Sequence, residues 1–430
     1  MSFASALSDL QLQLRAVTDP LPGFLRLSAT VSDPAEDLAW LAAQPVWPKF
    51  YWQHRGGEPT LLALGEIQRA ETLQQADQLL RALPAEGCLV GATEFTLEHC
   101  CLFLPRLLLR ENTLSVYLHG GLREEARIAS KLIDRLLPAH PLKSLPQRLA
   151  ACQHFPDNSG WQRQIAAALA AIRQGELDKV VLARATDLQF TQAVDAAALL
   201  DASRQANRHC YHFMLALTPQ QAFLGSSPEQ LFHRQGLALS TEALAGTCAN
   251  ASEAHLAQQL ADTLINDEKN RRENGLVVAD ICQRLESITS GLYVSPAQVV
   301  RLRKVQHLKR EIQGQLYQQD DMALLQRLQP TAAVAGLPRQ PAQRFIRQYE
   351  PFSRGGYAGS VGWLSAAESE FAVALRSAQV SGNTVRLYAG AGIVAGSEAS
   401  LEWQEINQKA AGLASLLGVE IASGSCPKSK

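Results

Sequence analysis

Three glutamates in the C-terminal half of the chain could bind a metal ion together. Glu402 and Glu405 stand three residues apart in a stretch with helical spacing, so both carboxylates project from one face of the helix. Glu273 lies where a charged stretch meets an apolar one in another predicted helix. Neither Cys nor His accompanies these carboxylates, so Mg²⁺ suits them better than zinc. The alternative is structural: acids in a first helical turn complement the helix macrodipole, and Glu273 beside Arg271 and Arg272 would form surface ion pairs.

Two further side chains could transfer protons. Lys179 opens an otherwise apolar strand predicted over 178–190. A lysine in that setting either extends its amine to solvent, or lies desolvated with a lowered pKa and acts as a base. Glu229 follows a proline, and in a dry pocket its carboxyl would keep its proton and act as an acid. The alternative for Glu229 is a structural role at the start of a strand.

An arginine and a glycine-rich segment could bind an anion. Arg376 interrupts an apolar strand predicted over 369–380, which indicates a carboxylate partner, either internal or from a substrate. Gly390–Ala395 matches the dinucleotide pattern G-x-G-x-x-A. A dinucleotide-binding fold needs further strands and helices, whereas residues 396–430 are typical of one helix and a tail. We therefore expect a turn whose backbone N–H groups approach an anion.

The elements that must position these residues do not alternate as βαβ units would, which disfavours a doubly wound sheet. The patterns predict an α+β fold of large, mainly antiparallel sheets faced by helices. Further strands are predicted near 222–232, 236–247, 297–316, 357–364 and 384–394, the first two as a hairpin, and helices near 66–82, 122–137, 253–288 and 400–416.

A proline-rich segment over 137–160 without sustained periodicity indicates a boundary near residue 155. We expect an N-terminal α/β region over 1–155 that packs on the core, a catalytic domain over 156–418, and a tail over 419–430.

Composition excludes several classes of protein. The chain is 47% hydrophobic and 19% charged, as ordinary globular proteins are. With 40 Lys and Arg against 41 Asp and Glu, it lacks the basic field of a nucleic-acid binder. It has no apolar run as long as a membrane span and no signal-peptide pattern, so we expect a cytoplasmic protein without a membrane partner. The eight cysteines show no zinc spacing, and we expect reduced thiols.

Taken together, the motifs resemble the chorismate-utilising enzymes, the family of anthranilate, aminodeoxychorismate, salicylate and isochorismate synthases. The resemblance covers roughly residues 160–418 and implies stacked antiparallel sheets and helices around a deep cleft. The segments that carry it, in the family's order, are Gly175–Arg184, Phe223–Leu231, Glu242–Thr247, the helix of Glu273, Val305–Arg310, Gln329–Pro338, Tyr357–Gly362, Phe371–Ala378 and Ala389–Leu413.

The resemblance also implies roles for individual residues. Lys179 is similar to the base that activates water at ring carbon C2, and Glu229 to the acid that protonates the departing hydroxyl at C4. Mg²⁺ is implied at Glu273 and Glu405, with Glu402 beside them. The residues implied to bind chorismate are His307 at the ring end of the site, Tyr357, Arg376, Gly390, Gly392, Gly246 and Thr247.

Within the family, Ala245 stands where aminodeoxychorismate synthases carry a lysine that attacks the ring, which alanine cannot do. The chain has no glutaminase domain and no L-L-E-S element of anthranilate synthases, so we expect no glutaminase subunit. Lys179, which resembles the base that activates water, indicates isochorismate or salicylate as the product. The segments Phe50–Glu58 and Glu242–Thr247 are most similar to isochorismate synthases of menaquinone biosynthesis.

We accordingly predict a Mg²⁺-dependent isomerase that adds water at C2 of chorismate and removes the C4 hydroxyl. Three alternatives remain. A salicylate synthase would also eliminate pyruvate, an isochorismate synthase could serve a siderophore pathway, and a binding or regulatory domain would keep the cleft without the chemistry.

Overall fold

The computed structural model describes residues 2–32, 37–146 and 148–421, which form eleven α-helices and twenty β-strands. The helices are α1 (Phe3–Ala16), α2 (Asp37–Ala43), α3 (Leu73–Ala82), α4 (Leu122–Ile133), α5 (Asn158–Arg173), α6 (Ala196–Ala206), α7 (Ala254–Asn266), α8 (Glu268–Leu285), α9 (Asp321–Leu328), α10 (Arg339–Tyr349) and α11 (Ala399–Ala414). Short 3₁₀ helices follow α8 and α11 at Glu286–Ile288 and Ser415–Leu417.

The strands are β1 (Pro22–Thr30), β2 (Lys49–Gln53), β3 (Thr60–Ala70), β4 (Cys88–Thr93), β5 (Cys100–Arg110), β6 (Thr113–Gly121), β7 (Leu149–Phe155), β8 (Lys179–Phe190), β9 (Tyr211–Thr218), β10 (Gln221–Ser227), β11 (Gln230–Gln235), β12 (Ala238–Ala249), β13 (Thr289–Val294), β14 (Gln298–Arg301), β15 (Val305–Leu316), β16 (Gly336–Leu337), β17 (Ser360–Ser365), β18 (Glu368–Val373), β19 (Ser377–Ser381) and β20 (Thr384–Ile393).

These strands form one connected sheet with two limbs that meet at β5, and every pairing among the described residues is antiparallel. The first limb runs β3–β2–β9–β10–β19–β20–β8, with β7 and β16 beside β8. The second limb runs β4–β17–β18–β11–β12–β15, with β13 and β14 beside β15. β6 pairs with residues 107–110 of β5 on the same edge as β4, opposite β3, and β1 pairs with β6. The predicted class of mainly antiparallel sheets flanked by helices is confirmed.

Two neighbouring bends also connect the limbs. The chain passes from β10 in the first limb to β11 in the second, and returns from β18 in the second limb to β19 in the first. Backbone hydrogen bonds hold the bends together, because Val373 N–H donates to Glu229 O at 3.0 Å and Ser226 N–H donates to Arg376 O at 3.2 Å. The two bends, which carry Glu229 and Arg376, are therefore adjacent in the fold.

The bends correct two predicted strands. The segments 222–232 and 369–380 each form two strands in different limbs, and the predicted hairpin partner at 236–247 pairs with β11 but not with β10. Pro228 lacks the N–H that a continuing ladder needs. Arg376 has a φ of +48°, which turns the second bend.

Two predicted helices also need correction. Residues 66–70 belong to β3, and α3 begins at Leu73 after Thr72, whose hydroxyl accepts the Gln75 N–H at 3.3 Å. The tract over 253–288 is interrupted at Asp267, whose carboxylate accepts the Asn270 N–H at 2.8 Å and so begins α8 as a separate helix. The predicted helices near 122–137 and 400–416 are present as α4 and α11.

Strands on the two sides of residue 155 pair with each other, as β2 does with β9, β4 with β17 and β7 with β8. The boundary itself stays a prediction, and residues 422–430 of the predicted tail lie outside the described ranges.

None of the described helices is long and apolar enough to cross a membrane. The expectation of reduced thiols is wrong for Cys152, which is disulfide-bonded. Cys426 lies outside the described ranges, and free thiols are present at Cys88, Cys100, Cys101, Cys210, Cys248 and Cys282.

Candidate active site

A cavity of about 170 Å³ lies between the two limbs, beside both bends and the helices α8 and α11. It brings together residues that are far apart in the sequence. The predicted site residues that line it are Glu229, Gly246, Thr247, Glu273, His307, Tyr357, Arg376, Gly390, Gly392, Glu402 and Glu405. Lys179 contacts one of these, Glu273, from the first strand position of β8.

The Lys179 amine is desolvated and paired. Its side chain is 1% exposed, and Nζ donates to Glu273 Oε1 at 2.7 Å. The alternative of an amine extended into solvent is therefore wrong, as is that of surface ion pairing between Glu273 and its neighbouring arginines. Gly392 leaves room for the pair, because a Cβ there would lie 3.0 Å from Lys179 Cε and 3.1 Å from Glu273 Oε1.

Glu229 is a buried carboxyl on the first bend. It is 2% exposed, and burial raises its pKa to about 8. The neighbouring Glu242 carboxylate also raises this pKa, whereas Lys179 lowers it. At neutral pH the group keeps its proton, so the arrangement provides an acid inside the fold.

His307 and Arg376 form a polar pair at the cavity wall. Arg376 Nη2 donates to His307 Nε2 at 3.3 Å, and the other ring nitrogen lies 3.0 Å from Thr247 Oγ1. Because arginine only donates, Nε2 accepts and the proton is assigned to Nδ1. Burial lowers the His307 pKa, as do Arg376 and Lys409, so the imidazole is neutral. No carboxylate of the described residues forms an ion pair with Arg376, which leaves its charge for a ligand.

Gly390 and Gly392 lie inside strand β20, where they pair with Ala183 and Val181 of β8. The expected turn at these glycines is wrong. Their missing side chains instead permit close approach, because a Cβ on Gly390 would lie 2.8 Å from the Tyr357 hydroxyl. The Tyr357 ring stacks on that of Tyr388, with 5.0 Å between centroids, and burial raises the Tyr357 pKa to about 12. This tyrosine therefore presents a neutral hydroxyl to the cavity.

Gly246 and Thr247 lie at an irregularity in β12, where the register with β15 shifts. Gly246 has a φ of +86°, which favours glycine. The freed Thr247 N–H donates to Asn270 Oδ1 of α8 at 2.9 Å. This contact fastens the second limb to the helix that carries Glu273.

The carboxylates of α11 lie at the cavity, not on a solvated helix face. Burial raises the pKa of Glu402, and the neighbouring Glu405 carboxylate raises it further. Burial tends to raise the pKa of Glu405 as well, but Lys409, Arg376 and Lys269 together outweigh this effect and the pKa is lowered. Lys409 Nζ contacts Glu405 Oε1 at 2.6 Å and donates to Gly390 O at 2.8 Å.

These three glutamates fit a hard divalent cation by their chemistry. They supply only carboxylate oxygens, and the repulsion between Glu402 and Glu405 is of the kind that a cation relieves. Lysines hold two of them in the structure, since Glu273 pairs with Lys179 and Glu405 with Lys409. Accordingly, no group of three acidic, His or Cys side chains in the described ranges is arranged as a ready metal site.

Sequence reasoning missed several residues of the cavity wall. Lys409 has a recognisable signal, because it stands four residues after Glu405 and such pairs meet on a helix. Lys269 and Asn270 precede Glu273 by about one helical turn and so share its face. Tyr388 carried no signal, since an aromatic residue in a strand is usually core.

The buried Glu229 predicts a pH-dependent stability. Its folded pKa of about 8 exceeds the ordinary 4.5, so the folded protein binds the proton more tightly than the unfolded chain does. Stability therefore falls as the pH rises between these values. Glu229→Gln removes this titration. We expect its melting temperature to exceed that of the wild type by a margin that grows between pH 4.5 and about 8 and is then constant. Circular dichroism melts at a series of pH values test this; a constant margin throughout would contradict it.

Comparisons with known proteins show the family of this chain. A family model described as chorismate binding enzyme matches residues 94–418. Isochorismate synthase MenF of Escherichia coli (strain K12) is 48% identical over 429 residues, which cover 97% of this chain and 100% of that protein. Isochorismate synthase MenF of Haemophilus influenzae is 37% identical over 425 residues, 97% of each chain.

Solved structures agree as well. The menaquinone-specific isochorismate synthase MenF from Escherichia coli matches with a TM-score of 0.95 and 49% identity, covering 97% of this chain and 100% of that one. Anthranilate synthase component I from Streptococcus pneumoniae TIGR4 shares the fold, with a TM-score of 0.66 and 20% identity over 93% of this chain and 94% of that one. The predicted fold and family are thus confirmed, and the chain belongs to the chorismate binding enzymes.

Proposed function

We propose that this chain is an isochorismate synthase of menaquinone biosynthesis, which converts chorismate reversibly into isochorismate and uses Mg²⁺. The observation that carries the proposal is a buried lysine amine, paired with the cavity residue Glu273, together with a buried carboxyl that keeps its proton at the same cavity. Moving a hydroxyl between two ring carbons requires such a base and such an acid. The match to Escherichia coli MenF over 97% of the chain supports the assignment and its pathway.

In the proposed reaction Lys179 takes a proton from a water molecule, whose oxygen forms a bond to C2 of the ring. The ring double bonds shift, and the C4–O bond breaks. Glu229 gives its proton to the departing oxygen, which leaves as water. One proton enters Lys179 and one leaves Glu229, so the reaction is an isomerisation without net consumption of water. In the reverse direction the two groups exchange roles.

The other cavity residues would bind and orient the substrate. Chorismate carries two carboxylates, and the unpaired Arg376 guanidinium suits one of them. The Tyr357 hydroxyl and the strand glycines Gly390 and Gly392 border the same space, and the neutral His307 with Thr247 lines another wall. When bound by Glu273 and Glu405, with Glu402 beside them, Mg²⁺ would screen substrate charge and draw electron density from the ring.

The nucleophile in this proposal is water. Ala245 lines the cavity and has no amine that could attack the ring. Because water needs no source of ammonia, we propose that the enzyme acts without a glutaminase subunit. We also propose that it acts in the cytoplasm. Salicylate synthesis would use the same acid and base, so it is an outcome of the product test.

Product analysis tests the proposal. Purified protein with chorismate and Mg²⁺ should form isochorismate at a rate that ammonium does not change, and EDTA should abolish the reaction. Chromatography identifies the product. Salicylate with pyruvate would reassign the chain to salicylate synthesis, and anthranilate formed only with ammonium would overturn the choice of water. Stoichiometric binding of chorismate without turnover would favour a binding domain.

Lys179→Ala tests the base. We expect kcat to fall by about 10²-fold or more, the usual contribution of a general base, while the fold stays intact. Lys131→Ala on the exposed face of α4 is the matched control and should keep the wild-type rate. Steady-state kinetics with circular dichroism measures both variants; a near-normal rate for Lys179→Ala would rule out water activation by this residue.

Gly392→Ala tests the space around the ion pair. The new methyl would lie 3.0 Å from Lys179 Cε and 3.1 Å from Glu273 Oε1, so we expect the pair to separate and kcat to fall at least tenfold. Gly275→Ala on α8 is the control, because a Cβ there meets nothing within 4 Å. That variant should retain activity and gain stability of about 0.5–1 kcal/mol. Equal rates for the two variants would contradict the need for glycine at 392.

A further inference from the structure

Arg55 reaches from the N-terminal region to the bend that carries Glu229. It lies in the loop between β2 and β3, far from the catalytic domain in sequence. Its Nη1 donates to both carboxylate oxygens of Glu242, at 2.8 and 2.9 Å. The same nitrogen lies 3.3 Å from the carbonyl oxygen of Pro228, the residue before Glu229. The guanidinium is thus placed between the acid's backbone and a second carboxylate.

Glu242 is held in one position by two donors. Besides Arg55, the Gln230 N–H donates to its Oε1 at 2.8 Å, and Gln230 is the residue after Glu229. The Glu242 side chain is only 1% exposed. A carboxylate buried this deeply is stable as an anion only with such partners. Neither Glu242 nor Arg55 lines the cavity.

We propose that Arg55 and Glu242 form a positioning pair for the catalytic acid, in which Arg55 holds the Glu242 carboxylate in place so that its negative charge favours the proton on Glu229. The inference rests on the proposed function. The N-terminal hairpin loop then helps to position the acid, although its residues do not line the cavity.

The charge balance around the acid supports this role. Burial raises the Glu229 pKa, Glu242 raises it further, and Lys179 lowers it. The Arg55 pKa is raised because Glu242 and other neighbours outweigh its burial. The remaining titratable groups that face the pair or its immediate partners are Tyr211, Glu370, His54, Glu311 and Cys210.

Glu242→Gln should shift the pH profile. The amide keeps the shape of the side chain but removes the negative charge, so Glu229 should lose its proton at lower pH. We expect the alkaline limb of kcat to move down by about one pH unit, the scale of interaction between coupled carboxyls, with KM little changed. An unchanged limb would overturn the proposal.

Arg55→Met should have a different effect. It leaves Glu242 buried without its cation, so one proton is shared between two carboxyls and only part of the enzyme carries it on Glu229. We expect the plateau of kcat to fall several-fold and the alkaline limb to move to higher pH. Arg55→Lys keeps the charge and should keep the profile.

The double variant separates positioning from simple structural support. In Arg55→Met with Glu242→Gln, no unpaired buried carboxylate remains, so kcat should return to the level of Glu242→Gln alone. Additive losses with an unchanged pH profile would mean a structural role only. Arg110→Met breaks an Arg–Glu pair with Glu368 elsewhere in the fold and serves as the control.

A measurement without turnover makes the test independent of the proposed function. The difference infrared spectrum between the wild type and Glu229→Gln reports the protonated Glu229 carboxyl during a pH titration. Its midpoint should fall in the Glu242→Gln background. A lower titration midpoint in a protein that forms no isochorismate would support the Arg55–Glu242 pair and refute the proposed function. An unchanged midpoint in an active enzyme would refute the role of the pair alone.

Discussion

The site depends on the two bends that carry the chain between the limbs of the sheet. Backbone hydrogen bonds at Glu229 and Arg376 join the bends, so the buried Glu229 carboxyl and the Arg376 guanidinium at the cavity wall are held by the same backbone contacts that join the limbs. Ser227 strengthens this junction, because its hydroxyl donates to Val373 O at 2.5 Å. A bend inside a sheet interrupts pairing, which leaves room for a cavity, and the surrounding strands supply the burial that raises the Glu229 pKa.

Burial then determines the state of each polar group. Lys179 and Lys409 each hold a glutamate that is implied as a metal ligand, so two of the cavity's carboxylates are paired. No lysine or arginine of the described residues forms an ion pair with Glu402, and burial together with Glu405 raises its pKa. His307 is neutral because burial lowers its pKa, and the nearby cations Arg376 and Lys409 lower it further. Desolvation therefore produces an acid, a neutral imidazole and paired carboxylates from ordinary side chains.

The sequence was sufficient for the class of fold and for many of the residues that meet at the cavity, because spaced motifs identify a family even when each is weak. It was insufficient for the bends, since 222–232 and 369–380 have the apolar composition of single strands, and only pairing with different limbs reveals the break. The glycines at 390 and 392 were misinterpreted for a related reason. Local pattern suggests a turn, whereas the need for glycine comes from Tyr357 and Lys179, which approach from elsewhere in the chain.

The N-terminal region shows most clearly that local sequence patterns do not reveal contacts between distant segments. In sequence it has no assigned chemistry, and a proline-rich segment separates it from the catalytic motifs. In the fold its strands β2 and β4 pair with β9 and β17, and Arg55 Nη1 lies 3.3 Å from the carbonyl oxygen of Pro228, next to Glu229. Tyr211 extends this contact, because its hydroxyl donates to Glu370 at 2.9 Å and its ring lies 5.4 Å from the Arg55 guanidinium. A buried network of this kind requires all its members together. The side chains that hold the site together therefore include residues outside the stretch of sequence that contains its motifs.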